Sequence, residues 1–204
     1  MLPSATEAEI AELAAAYGPP RRVVAPLLRW QFEPLTMRDR YGEVCMVIRR
    51  PSGRLLTARK DFYPPDAFRL LTGGVHHGER IRDALLREAA EETGLQVAVR
   101  RFLAVIEYPS VPPGGERAFA TFAFLLDETG GTLASNDPAE RVAAFREATV
   151  SELPALAAAL ERAPDVYDAE IDGSWRDWGM YRAVVHRVVY ATMVNDDRRP
   201  TSDD

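Results

Sequence analysis

Hydrophobic and polar positions alternate between two periods along this chain, and each change of period predicts a new element. Residues 4–17 carry Ile10, Leu13 and Ala14 at helical spacing, with Ser4 or Thr6 available as a cap, and Gly18-Pro19-Pro20 stops the helix. An apolar stretch, Val23 to Phe32, leads through a polar link into Glu43–Arg50, which reads as a buried strand. Pro51-Ser52-Gly53 is a turn signal, and Arg54–Lys60 completes a hairpin. After a proline-bearing loop, Phe68–Leu71 forms a short strand that feeds a glycine loop at Gly73-Gly74, and a helix closed by Gly94 follows. Gln96–Tyr108 is strand-like, and Pro109 to Gly115 breaks it. Ala118–Leu126 is a continuous apolar run, the pattern of a central strand covered on both faces. Thr129-Gly130-Gly131 turns the chain, Ser135 to Ala139 forms a loop, and Arg141–Ala148 is a further strand. Ser151 and Glu152 then open a helix over Leu153–Arg162.

The remainder predicts an extension. Ser174-x-x-Asp177 has the spacing of a capping box, and Trp178, Arg182, Val185 and Val189 follow one helical stripe. Trp175, Trp178 and His186 fit core or dimer packing better than a ligand site. Residues 195–204 are polar and charged and predict disorder. Interleaved strands and helices of this kind predict an α/β layered fold.

Composition changes this picture little. The chain has 204 residues, 47% hydrophobic and 27% charged, which suits one domain with extensions. A net charge of -6 argues against a nucleic-acid partner. The single cysteine, Cys45, makes no internal disulfide and fits a reducing compartment. The N-terminus lacks a basic segment followed by an apolar one, and no apolar run approaches the roughly 20 residues of a membrane span. The expectation is a cytoplasmic protein.

The stretch that carries chemistry is Gly73 to Leu95, GGVHHGERIRDALLREAAEETGL. On a helix of about 100° per residue, Glu88, Glu91 and Glu92 fall within roughly a 100° arc. Ile81, Ala84 and Leu85 lie along the same arc, so these acids share a stripe with residues that seek burial. Inward carboxylates repel one another and desolvate badly, and a hard divalent cation with oxygen ligands relieves both problems.

These residues resemble the Nudix hydrolase signature, G-x5-E-x7-R-E-U-x-E-E-x-G-U with U a bulky aliphatic. Gly73, Glu79, Arg87, Glu88, Ala89, Glu91, Glu92, Gly94 and Leu95 stand at its positions. Ala89 replaces the usual Val, Leu or Ile, and Thr72 stands where many members carry proline. The resemblance implies an α/β/α sandwich with a mixed sheet. It divides the chain into an N-terminal extension (1–37), a Nudix domain (38–163) and a C-terminal helical extension with a disordered tail (164–204). It also implies hydrolysis of a diphosphate bond in a nucleoside diphosphate linked to another group. Magnesium, with manganese as the alternative, is then held by Gly73, Glu88, Glu91 and Glu92. Glu79 and Arg87 pair to orient the loop, and His76 and His77 are substrate-contact candidates. Many members carry a further loop carboxylate near the place of Glu140, as ligand or base.

The expected partner is a small nucleotide diphosphate, with homodimerisation left open. Two other functions share the fold. One is a nucleotide-binding regulatory module without turnover, a type that usually loses motif carboxylates. The other is isopentenyl diphosphate isomerase, which needs a catalytic cysteine that Cys45, in an apolar strand, fits poorly. NADH-type and coenzyme A-type markers are absent, whereas Pro112 and Pro113 fall near the position of a proline common in ADP-ribose enzymes.

Overall fold

A computed structural model describes residues 2–27, 31–109 and 119–196, so Pro112, Pro113 and the end of the tail (197–204) lie outside the described residues. The chain runs α1 (Ser4–Tyr17), β1 (Arg21–Val24), β2 (Arg40–Arg49), β3 (Leu55–Lys60), β4 (Leu71–His76) and α2 (Ile81–Thr93). It continues through β5 (Leu95–Tyr108), β6 (Phe119–Gly131), β7 (Val142–Ala148), α3 (Leu153–Glu161), the short hairpin β8 (Tyr167–Asp168) and β9 (Gly173–Ser174), and α4 (Trp175–Asp196).

Seven strands form one mixed sheet in the order β1-β5-β6-β2-β3-β7, with β4 also paired to β2. The β1–β5 and β2–β6 pairs are parallel and the others antiparallel. The pleat sends alternate residues to opposite faces. Val44, Met46 and Ile48 join α1 and α2 in one core, and Cys45 and Val47 join α3 and α4 in the other. Hence β2 and β6, buried on both faces, read as continuous apolar runs, and the fold is a three-layer α/β/α sandwich.

Three local expectations differ from the structure. Gly73 and Gly74 are strand residues of β4, and the turn comes later, at Gly78 with φ +83°. The physical reason lies in the neighbouring hairpin: β3 pairs with β2 only at Arg49↔Leu55, then leaves to pair with β7, and β4 fills the vacated edge. Thr129-Gly130-Gly131 does not turn, because Leu95 and Gln96 pair with Gly131 and Gly130 and carry β6 to its end. Finally, α1 has no side-chain cap: Pro3 occupies the cap position, with its carbonyl accepting from Glu7 N–H.

The divergence of β3 from β2 leaves an opening in the sheet, and α4 covers its rear. His186, fully buried, accepts from the Leu70 N–H through Nε2 at 3.0 Å and meets the Arg182 carbonyl through Nδ1 at 2.8 Å. That pair of contacts requires the neutral tautomer with the proton on Nδ1. Burial, the main cause, pushes its pKa down to about 4, so the ring stays neutral across the physiological range. Its role is to fasten α4 to the strand that enters the glycine pair. Trp175 and Trp178 are likewise core residues, 5.1 Å apart edge to face.

Candidate active site

A cavity of about 310 Å³ occupies the opening where β3 and β4 part. The walls include Arg40 and Glu43 from β2, Lys60 from the end of β3, Thr72 to Gly74 from β4, Arg87 and Glu88 from α2, and Glu140. Trp178 and Arg182 close it from α4, and Tyr63 and Arg69 line it from the β3–β4 connection.

Helix α2 presents its buried face to this cavity. Glu88 is 6% exposed and Glu92 2% exposed, one turn apart on the stripe with Ile81, Ala84 and Leu85. Gly73 is where the strand meets that helix: a Cβ built there would lie 2.0 Å from the Glu88 carboxyl carbon. Only glycine allows this approach. At Gly74 a Cβ would similarly lie 2.6 Å from the Arg40 guanidinium.

Glu140 reaches the same place from the β6–β7 connection. Asp137 Oδ1 accepts from Ala139 N–H at 2.8 Å and starts a single 3-10 turn, Pro138–Glu140. Asn136 ties that loop to the end of α2, donating through Nδ2 to the Ala90 carbonyl and through its N–H to the Glu91 carbonyl. The result is a cluster in which Glu88, Glu92 and Glu140 each offer a carboxylate oxygen within 4.8 Å of the others. Glu91 stands apart from it, because a further 100° turn of the helix separates it from Glu92. Its Oε2 accepts from Arg87 Nη1 at 3.0 Å.

Arg87 is the organiser of the motif. Its guanidinium donates to both Glu79 oxygens, at 2.8 and 3.0 Å, to Glu88 Oε1 at 2.8 Å and to the Gly74 carbonyl at 2.9 Å. One rigid fork therefore joins the β4–α2 turn, the strand and the helix. Partial burial, the largest single influence, would raise the Glu79 carboxyl, but the Arg87 hydrogen bonds and charge together with the His76 N–H outweigh it and hold the carboxyl below its ordinary value. Glu79 also accepts from the His76 N–H at 3.1 Å, which fixes the turn. The His76 side chain lines the cavity, whereas His77 is exposed and faces the Arg38 carbonyl.

The electrostatics of the buried pair suit a cation. Burial, the main cause, pushes Glu92 up to about 7 and raises Glu88 as well, and the neighbouring Glu140 charge adds to both. Glu92 Oε1 is buried without a hydrogen-bond partner. A buried carboxylate with an unsatisfied oxygen, close to two other carboxylates, is costly unless a cation offsets the charge. An all-oxygen donor set fits magnesium or manganese, so the residues present match the metal the motif implies. Cys45 has no such chemistry. It is fully buried in the core on the α3/α4 side, and burial raises its thiol far above the ordinary range, which removes the nucleophile that an isomerase needs.

Sequence reading missed the cationic half of the cavity. Arg69 donates to Tyr63 Oη, the Leu70 carbonyl and Thr72 Oγ1, and Arg182 donates to Glu43 Oε2 and the same Thr72 hydroxyl. Arg182 stood on the predicted apolar stripe, and its buried position was a signal that a partner exists. Nothing local pointed to Glu43.

Comparison with known proteins agrees with this geometry. The chain matches the NUDIX domain family over residues 40–169, more than half of its length. An ADP-ribose pyrophosphatase of Methanocaldococcus jannaschii is 34% identical over 111 residues, covering 54% of this chain and 63% of that protein. The NAD-capped RNA hydrolase NUDT12 of Homo sapiens is 36% identical over 67 residues, 32% of this chain and 14% of that protein. The chain thus aligns with less than two thirds of either relative. Among solved structures, a UDP-X diphosphatase aligns at 18% identity over 78% of this chain and 67% of that one, with a TM-score of 0.47. An ADP-ribose pyrophosphatase from Streptococcus suis aligns at 15% identity over 78% and 92%, with a TM-score of 0.46. The motif, its placement between β4 and α2, and the family match lead to one statement: this chain belongs to the NUDIX domain family.

Proposed function

We propose that this protein is a divalent-metal-dependent pyrophosphohydrolase that cleaves the diphosphate bond of a nucleoside diphosphate linked to a second group, with ADP-ribose or a nucleotide sugar as the substrate class. The observation that carries this reading is the convergence of Glu88, Glu92 and Glu140, two of which, Glu88 and Glu140, line a polar cavity. The archaeal relative's name supports the substrate class.

In this reading Glu88 and Glu92, with Gly73 beside them, hold the cation, and Glu91 contributes through the Arg87 fork. A bound magnesium ion supplies charge neutralisation at the diphosphate and a lower pKa for water. Glu140 lies beside the pair on a loop that is tied at both ends, and it accepts the proton of the attacking water. Arg87 and Glu79 keep Glu88 in place, and their contribution is orientation. Lining cations, Arg40 and Lys60 foremost, receive phosphate oxygens, and His76 stands at the same wall.

A phosphate-release screen with magnesium across ADP-ribose, nucleotide sugars, dinucleoside polyphosphates, nucleoside triphosphates and NADH tests the proposal. ADP-ribose or a nucleotide sugar is expected to give the highest kcat/KM. Preferred cleavage of a triphosphate would overturn the substrate class, and binding without turnover of any compound would favour a regulatory module. Glu140→Gln separates base from ligand. Turnover is expected to fall roughly a hundredfold, the usual scale for a general base, while the magnesium concentration for half-maximal rate stays close to wild type. A large rise in that concentration would make Glu140 a ligand instead.

A further inference from the structure

We infer that Lys60 is a tethered counter-cation of the metal site: in the metal-free protein its ammonium holds Glu140 against the acid cluster, and its charge opposes the divalent cation that Glu88 and Glu92 would hold. The inference rests on the metal-binding part of the proposed function and adds a residue that neither the motif nor the family signature names.

Lys60 ends β3, where a register shift between Arg59 and Lys60 pairs it with Val142 just after the Glu140 turn. The Nζ atom lies 3.0 Å from Glu140 Oε2, with the two side chains 20% and 23% exposed. Both residues line the cavity. The ammonium also acts on Glu92, whose upward pKa shift it partly opposes. A cation therefore already sits at the edge of the three converging carboxylates.

Two other cations near the cluster, Arg87 and Arg69, are each held by several hydrogen bonds. Arg87 is fixed by its bonds to Glu79, Glu88, Glu91 and the Gly74 carbonyl. Arg69 is fixed by Tyr63, the Leu70 carbonyl and Thr72. Neither can leave without breaking several hydrogen bonds at once. Lys60 differs in kind: it is a compact charge on a flexible four-carbon stem, bound to a half-buried carboxylate through one bond. It can hold Glu140 in register and then release it.

The chemical consequence is a trade. Like charges within a few ångströms oppose each other, so the ammonium weakens the affinity of the site for a divalent ion. In return, Glu140 is not left as an unpaired acid beside two others, and its loop keeps the geometry needed for catalysis. Once released, the ammonium stands in the cavity, where a phosphate oxygen can take the place of the carboxylate.

The test is manganese binding to the full-length protein by calorimetry, in the absence of nucleotide. Lys60→Met removes the charge and keeps most of the stem, and it is expected to bind manganese about tenfold more tightly than wild type. Lys60→Arg keeps the charge and is expected to stay within about threefold of wild type on the same electrostatic argument. Arg176→Met, on an exposed position of α4, makes the same change in net charge away from the cavity and should leave affinity unaltered. Unchanged or weaker binding in Lys60→Met overturns the Lys60 assignment and leaves the metal site standing. Equal tightening in Arg176→Met overturns it too, because the effect would then be one of overall charge. A wild-type protein that binds no manganese overturns both the assignment and the metal site. Tight binding with no turnover of any nucleotide would sink only the hydrolase reading.

Discussion

Glu92→Gln is expected to lower turnover at least a thousandfold and, in the same molecule, to stabilise the metal-free protein at alkaline pH. The first effect follows from the proposed site, in which the substitution removes a metal ligand. The second follows from burial. The Glu92 pKa rises from an ordinary 4.5 to about 7, chiefly because the side chain is cut off from water. A carboxyl raised in the folded state holds its proton where the unfolded chain has already released it. Its favourable contribution is complete below pH 4.5 and is lost as pH rises toward 7, at about 1.4 kcal/mol per unit. Above that window the metal-free protein carries a penalty of up to about 3 kcal/mol, which glutamine escapes. Urea unfolding with a chelator present should therefore show the variant more stable than wild type at pH 8 and nearly equal at pH 4.5. Manganese should reverse the order, because it stabilises the protein that binds it. A variant less stable than wild type at pH 8 without metal would mean that the carboxylate has a stabilising partner the proposed site does not contain.

The same physics decides which parts of this site could be read in the sequence. Glu88 and Glu92 were legible because helical period alone places them on the stripe of Ile81, Ala84 and Leu85, and all five are buried. Strand β6 was legible because its apolar run is continuous and it sits between β5 and β2. The position of Gly73-Gly74 was not, since their strand exists only because β3 abandons the edge of β2, and that choice is made by pairing with β7 far along the chain. Glu140 could be named only through the family resemblance, and its approach to Glu88 depends on the Asn136 bond to Ala90. The cationic wall had still less local signal. Glu43 and Arg182 are 139 residues apart, on a strand and a helix whose periods each account for burial but not for each other. Periodicity reports which face is buried, and the partner of a buried charge is a property of the assembled layers.

Arg182→Met is the substitution with the largest expected effect on folding. Helix α4 lies beyond the segment matched to the family, yet Arg182 reaches the cavity wall. Its side chain is 7% exposed, that of Glu43 is 4% exposed, and Nη1 meets Glu43 Oε2 at 2.7 Å. The same Nη1 donates to Thr72 Oγ1 at 2.9 Å, one residue before Gly73. Glu43 keeps a second contact, accepting from Thr121 Oγ1 at 2.9 Å, which does not offset its charge. Methionine fills much of the arginine volume, so packing against Trp178 and Tyr181 is largely preserved. What remains is a buried carboxylate without a cation, a loss of about 3–5 kcal/mol. The double variant Glu43→Gln with Arg182→Met removes that charge and keeps an acceptor for Thr121, so it should recover at least half of the loss. A merely structural arginine would give a double variant no more stable than the single one. Denaturant unfolding of the three proteins at pH 7.5 distinguishes the cases. A single variant within 1 kcal/mol of wild type, a loss more typical of an exposed ion pair, would show that water reaches Glu43 and that α4 does not seal the cavity.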